Sequence, residues 1–223
     1  MPQNIPPSKQ QAEKVVFCDF DGTITAVETF ADMLKEFTPE LAKEIMPQLY
    51  AKTLTLRVGV RQMLESIPAK LYPEIMAYSD DKPIRPGLKE LMDYLQSQQI
   101  PFVVISGGLK DMVERVLNRE GLREKVTSIS AVEIDTSGAY LKVSSQFEAD
   151  TELVAKVLVM AKYPATEKIA IGDSITDVNM AMKADLVFAR DRLQEDLTTA
   201  NKPYLPWENF FDILENLQQR WEN

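Results

Sequence analysis

A chain of 223 residues can bury a substantial core and is sized for one main domain with a smaller one attached. Its net charge of −9 argues against a nucleic-acid surface or an anionic membrane as partner, so any anionic ligand needs a local cation. There is no histidine and only one cysteine, which excludes Ser-His-Asp and Cys-His nucleophile systems, phosphohistidine chemistry, imidazole zinc sites, thiolate metal clusters and an internal disulfide.

In chain order, residues 1–13 read as a flexible tail; the opening MPQNIPPSKQQAEK lacks the apolar centre of a signal peptide. No apolar run approaches the roughly 18 residues of a membrane span, so the expected location is the cytoplasm. KVVFCDFDGT (14–23) reads as a buried strand that ends in Asp19 and Asp21. Cys18 alternates to the opposite side from Asp19 and belongs to the core.

Residues 27–84 carry helical periodicity in ETFADMLKEF, PELAKEIMPQLY, LTLRVGVRQMLESI and YPEIMAYS, with no convincing strand. This stretch is far longer than an ordinary crossover and predicts a small helical domain inserted over a crevice. GLKELMDYLQSQQ then leads as a helix into the strand IPFVVISGG (100–108). Residues 129–145, alternating about a Thr-Ser-Gly turn, predict a β-hairpin extension. EKIAIGDSITD (167–177) and ADLVFARD (184–191) are two further strands, with a helix over ITDVNMAMKA. Strands alternating with helices define an α/β fold, a doubly wound and mostly parallel sheet formed by residues 14–26 and 85–223, with the helical cap at 27–84.

In such sheets ligands bind beyond the carboxyl ends of the strands, and polar residues stand at those ends here: Asp19, Asp21, Ser106 and Asp173. Each signal has an ordinary explanation when taken alone. Asp-x-Asp-Gly is a turn or a fragment of a calcium loop, although DFDGTITAVETF lacks the Glu that closes such a loop. Asp173 and Asp177 suit a helix start, and Ser106 suits an N-cap. Together they bring like charges to one place, which costs several kcal/mol unless a cation sits among them. Hard oxygen donors without imidazole or thiolate select Mg²⁺. Gly22, Thr23, Gly107 and Gly108 then offer turns whose backbone N–H groups suit a phosphate, and the Ser106 hydroxyl is a further candidate to hold one of its oxygens.

Asp19-x-Asp21-Gly-Thr-x-Thr, the strand ending in Ser106-Gly107-Gly108, a downstream lysine and Gly-Asp173-Ser-x-Thr-Asp177 occur in the order that resembles the haloacid dehalogenase superfamily of phosphatases. The resemblance covers nearly the whole chain, and the insertion falls where that superfamily places a helical cap. LTLRVGVRQMLESIP, IRPGLKELMDYL, IGDSITDVNMA and FARDRL are most similar to its methionine-salvage branch. The resemblance implies a small phosphorylated metabolite as substrate, with Asp19 as nucleophile and Asp21 as acid and then base. It also implies Mg²⁺ held by Asp19, the Asp21 carbonyl and Asp173, with Asp177 in support. The alternatives are a phosphoserine phosphatase or related phosphotransferase, and a catalytically silent binding protein on the same fold.

The resemblance also requires a lysine. The spacing of phosphoserine phosphatases places it near Asp150, which is no lysine, whereas a shorter spacing points to Lys156 in ELVAKVLVMAK; Lys110 is the other candidate. Glu28, seven residues after Asp21, matches a substrate-contacting position, and Arg57 or Arg61 stands where a substrate carboxylate could be met, though an arginine there also suits a solvated helix face. Val27, Phe30, Met33, Leu34 and Met63 form a candidate apolar wall.

Overall fold

A computed structural model describes residues 12–222. Of the expected tail, residues 1–11 lie outside that range, while Ala12 and Glu13 open the first strand. The elements run β1 (Ala12–Cys18), α1 (Thr29–Phe37), α2 (Pro39–Tyr50), α3 (Leu56–Glu65), α4 (Tyr72–Ala77), α5 (Leu88–Ser97), β2 (Phe102–Leu109) and α6 (Lys110–Arg119). They continue with β3 (Ser128–Asp135), β4 (Lys142–Ser144), α7 (Lys156–Met160), β5 (Ala165–Gly172), α8 (Val178–Lys183), β6 (Leu186–Ala189), α9 (Asp191–Thr199), β7 (Leu205–Pro206) and α10 (Phe210–Trp221).

The strands form one sheet in the order β4-β3-β2-β1-β5-β6-β7, parallel except for the β3–β4 pair. From Val15 to Cys18 β1 is continuously apolar because both faces of it are covered. Val15 and Phe17 join one core, Val16 and Cys18 the other. The chain steps outward from β1 through β2 to β3, then returns to β5 on the other side, so the order reverses at β1 and β5. The crevice of a doubly wound sheet lies at that reversal.

Two expectations need correction. Residues 129–145 are more than a hairpin extension: β3 pairs in parallel with β2, Val104 opposite Ile129, and is a full member of the sheet. Only β4 is antiparallel to it. β2 likewise does not end at Ser106; it runs on to Leu109 through an irregularity after Ile105, and α6 starts at Lys110. Ser106 therefore caps no helix.

Helices α1–α4 occupy the stretch between β1 and α5. The chain leaves and re-enters through adjacent pieces, with Thr25 bridging Ile84 and Ala26 N–H donating to Pro83 at 2.9 Å. Met33, Ile45, Met63, Leu64 and Ile75 turn the apolar faces of these helices into one of the sheet's cores. Met33 and Met63 are thus fully buried packing residues and Val27 is exposed, so of the five candidate wall residues only Phe30 and Leu34 reach the cleft.

Candidate active site

β1 ends at Cys18, and the next residue, Asp19, is anchored by its N–H to Ile171 of β5 at 3.0 Å. Two residues beyond lies a turn whose conformation depends on glycine: Gly22 has φ +80°, and a Cβ there would collide with the Asp173 carboxylate. Thr23 follows, fully buried, and its hydroxyl donates to Asp173 Oδ1 at 2.8 Å. Gly22 N–H donates to Thr25 Oγ1 at 3.0 Å. The Gly22 N–H and the Thr23 hydroxyl are therefore engaged inside the protein, and both residues serve to seat Asp173.

Asp173 follows β5, and Asp177 closes a single 3-10 turn behind it. Asp177 Oδ2 accepts the backbone N–H groups of Asp173 and Ser174, each at 3.1 Å. A Cβ on Gly172 would overlap the Asp177 carboxylate, so the glycine makes that approach feasible. Lys156, the first residue of α7, is 2% exposed. Its ammonium donates to Asp19 Oδ1 and, at 2.5 Å, to Asp177 Oδ1. Lys110 is elsewhere, paired with Glu133 on the surface at 2.8 Å.

Asp19, Asp173 and Asp177 each bring a carboxylate oxygen within 4.8 Å of the others. One ammonium is set against three carboxylates. Burial and the Asp177 charge push Asp19 up to about 7; burial, Asp19 and Asp177 push Asp173 up to about 9. Burial would depress Lys156, but Asp177 and Asp19 outweigh it and hold its pKa raised. An all-oxygen donor set with excess negative charge fits a hard divalent cation. Asp19 and Asp173 are the better placed ligands, because both oxygens of Asp177 are already engaged.

The Asp21 carboxylate lies outside this cluster. It sits at the start of α1, where Oδ1 accepts from Thr29 N–H at 2.7 Å and Phe30 N–H at 2.9 Å, two of the helix's otherwise unpaired donors. Burial and the neighbouring Glu28 nevertheless raise its pKa well above the carboxylate range, which favours a group able to carry a proton.

Asp19, Asp21, Glu28 and Lys156 share a cleft with Gly107 and Gly108, and the rest of its lining is largely apolar, with Phe30, Leu34, Met46, Leu49, Leu56, Val60, Leu153 and Val154. Ser106 lies behind the glycines, its Oγ accepting Gly108 N–H at 3.0 Å. Arg57 is not part of the cleft. Its Nε donates to Glu148 at 2.6 Å, and Arg61 donates to both oxygens of the same carboxylate at 2.8 Å. An acid in the loop after β4 has neutralised both arginines, which pin α3 to that loop.

Arg85 escaped the sequence reading, although an arginine before Pro-Gly at a helix start is a visible oddity. It is nearly buried and stacked over Trp207, 5.4 Å from the ring centre. It donates to Gly22 O at 2.7 Å and Thr23 O at 3.2 Å, holding the turn that orients Asp173. Arg85→Met is expected to lower kcat on an aryl phosphate by roughly 10- to 100-fold, since small misplacements of reacting groups cost that much. Arg85→Lys should recover part of the loss. A kcat within twofold of the parent for Arg85→Met would show that the turn holds itself.

The haloacid dehalogenase-like hydrolase family matches residues 16–182, and the chain belongs to that family. A 2-hydroxy-3-keto-5-methylthiopentenyl-1-phosphate phosphatase of Microcystis aeruginosa (strain NIES-843) is 63% identical over 207 residues, 93% of this chain and 99% of the relative. The phosphatase of the same name from Bacillus cytotoxicus is 33% identical over 91% of this chain and 95% of its own. Among solved structures, a phospho-aspartyl intermediate analogue of phosphoserine phosphatase superposes with a TM-score of 0.66 at 18% identity, covering 93% of this chain and 99% of that one. At that identity the likeness speaks for the fold. Among the described residues no helix is long and apolar enough to cross a membrane.

Proposed function

We propose that this protein is a Mg²⁺-dependent phosphomonoesterase that hydrolyses 2-hydroxy-3-keto-5-methylthiopentenyl-1-phosphate. The observation that carries the reading is the cleft itself, which joins Asp19, Asp21 and Lys156 to a lining that is otherwise mostly apolar. The relatives' shared name matches both features, a phosphate and a methylthio tail.

In this reading the Asp19 carboxylate attacks phosphorus to form an aspartyl-phosphate while Asp21 delivers its proton to the leaving oxygen. Asp21, now ionised, takes a proton from the water that cleaves the acyl phosphate and regenerates Asp19. The N–H groups of α1 hold Asp21 in place through both steps. Lys156 keeps Asp19 oriented and offsets negative charge as the phosphate arrives. Mg²⁺ bound by Asp19, the Asp21 carbonyl and Asp173 would neutralise phosphate oxygens, with Asp177 in support. Helices α1–α4 form the cap, residues 27–84, and close the cleft from above.

Phosphoserine is the competing substrate, and it needs a cation for its carboxylate. Among the described residues the cleft offers Glu28 but no free arginine, because Arg57 and Arg61 are spent on Glu148. Burying a methylthio group against the apolar wall is worth about 1–2 kcal/mol, roughly tenfold or more in selectivity. Steady-state kinetics on both substrates should therefore give a kcat/KM at least about tenfold higher for the hydroxy-keto phosphate, with both activities lost in EDTA. A preference for phosphoserine would overturn the substrate assignment.

A further inference from the structure

Glu152 belongs to none of the motifs, yet it lines the active-site cleft. It lies in the loop that Glu148 ties to α3, between Thr151, whose carbonyl accepts Arg57 N–H at 2.9 Å, and the apolar wall residues Leu153 and Val154. The loop is held at both ends, since Glu152 O accepts Ala149 N–H at 2.9 Å and Lys156 is fixed to Asp19 and Asp177. Its side chain is half-buried, and among the described residues it forms no ion pair.

Asn179 on α8 and Lys156 are polar neighbours of the Glu152 side chain. Burial is the largest influence on the carboxyl and raises its pKa. A carboxylate has about four acceptor positions, and one amide neighbour leaves most of them unused. Holding such a group partly out of water beside leucine and valine costs free energy unless a donor arrives from elsewhere. Glu28, the other glutamate of the cleft, raises Asp21 through its charge and so belongs with the proton-transfer groups.

We propose that Glu152 is a specificity-determining residue that accepts a hydrogen bond from a hydroxyl on the carbon next to the phosphate-bearing one, selecting hydroxy-keto phosphates over plain phosphomonoesters. The position is consistent with that carbon: Lys156 marks the phosphate end, Glu152 is close enough to feel its charge, and the apolar wall starts at the next residue. This rests on the substrate reading above. A second carboxylate in the cleft also repels the carboxylate of phosphoserine.

The test compares kcat/KM for the hydroxy-keto phosphate with that for p-nitrophenyl phosphate, which has no such hydroxyl. Replacing Glu152 by Leu should lower the ratio of the two by roughly 10- to 100-fold, the worth of a hydrogen bond to a charged group. Glu152→Gln keeps one acceptor oxygen and should lower it less; it decides the matter if the leucine variant does not fold. An unchanged ratio, or an equal loss on both substrates, overturns the proposal. Failure of the substrate reading is seen separately in the unsubstituted protein, as a lack of preference for the hydroxy-keto phosphate over phosphoserine, and removes both.

Discussion

Asp19→Asn is expected to reduce turnover of any phosphomonoester by on the order of 10⁴-fold or more while leaving the fold intact. The amide has the shape of the carboxylate and can still accept from Lys156, but it cannot attack phosphorus. Stability should survive because Asp19 is one of three buried like charges around a single ammonium, and its carboxyl is pushed up to about 7 by burial and by Asp177. In metal-free buffer at pH 8 the Tm of the variant should be no lower than that of the parent. Asp21→Asn, which removes the acid and base, should cost about 10²- to 10⁴-fold. Retention of near-parent hydrolysis by either variant would take the chemistry away from this pair.

Lys156→Met should damage both rate and stability, and that combination separates it from the aspartate changes. The ammonium is 2% exposed and donates to Asp19 and Asp177, so its removal leaves two buried carboxylates uncompensated. Breaking a buried pair from one side costs about 3–5 kcal/mol, which in a chain of this size lowers Tm by roughly 10 °C. The rate should fall by about 10²- to 10³-fold, as for other lost cationic or oxyanion donors. Lys110→Met is the control, since Lys110 meets only Glu133 at the surface and should stay within about 0.5 kcal/mol of the parent. Thermal melts and aryl phosphate kinetics on the two variants, with and without Mg²⁺, check both halves. A stable and active Lys156→Met protein would contradict the ion cluster as described.

Arg57 and Arg61 illustrate where sequence reasoning stops. Helical spacing placed both on an inserted helix, where a substrate carboxylate was one candidate partner. What neutralises them is Glu148, 91 residues beyond Arg57 in the chain. No local pattern announces a partner at that separation. Glu152 is silent for the same reason, because a glutamate in a loop looks solvated until the cleft closes around it.

Elements whose causes are local were legible from the residues alone. Apolar β-branched runs covered on both faces made β1, β2, β5 and β6 visible, and 3.6-residue periodicity marked the four inserted helices. Acids at strand ends marked Asp19, Asp21 and Asp173, because a carboxylate at the end of a buried run demands a partner wherever it occurs. The tertiary structure alone decided the pairings between distant segments: β3 beside β2, Thr23 on Asp173, Arg85 on the Gly22 turn, and Lys156 between Asp19 and Asp177. These depend on which surfaces the sheet order brings together. Charge compensation is a property of neighbours in space, so although the resemblance pointed to Lys156, only the placed strands make it the buried cation of the site.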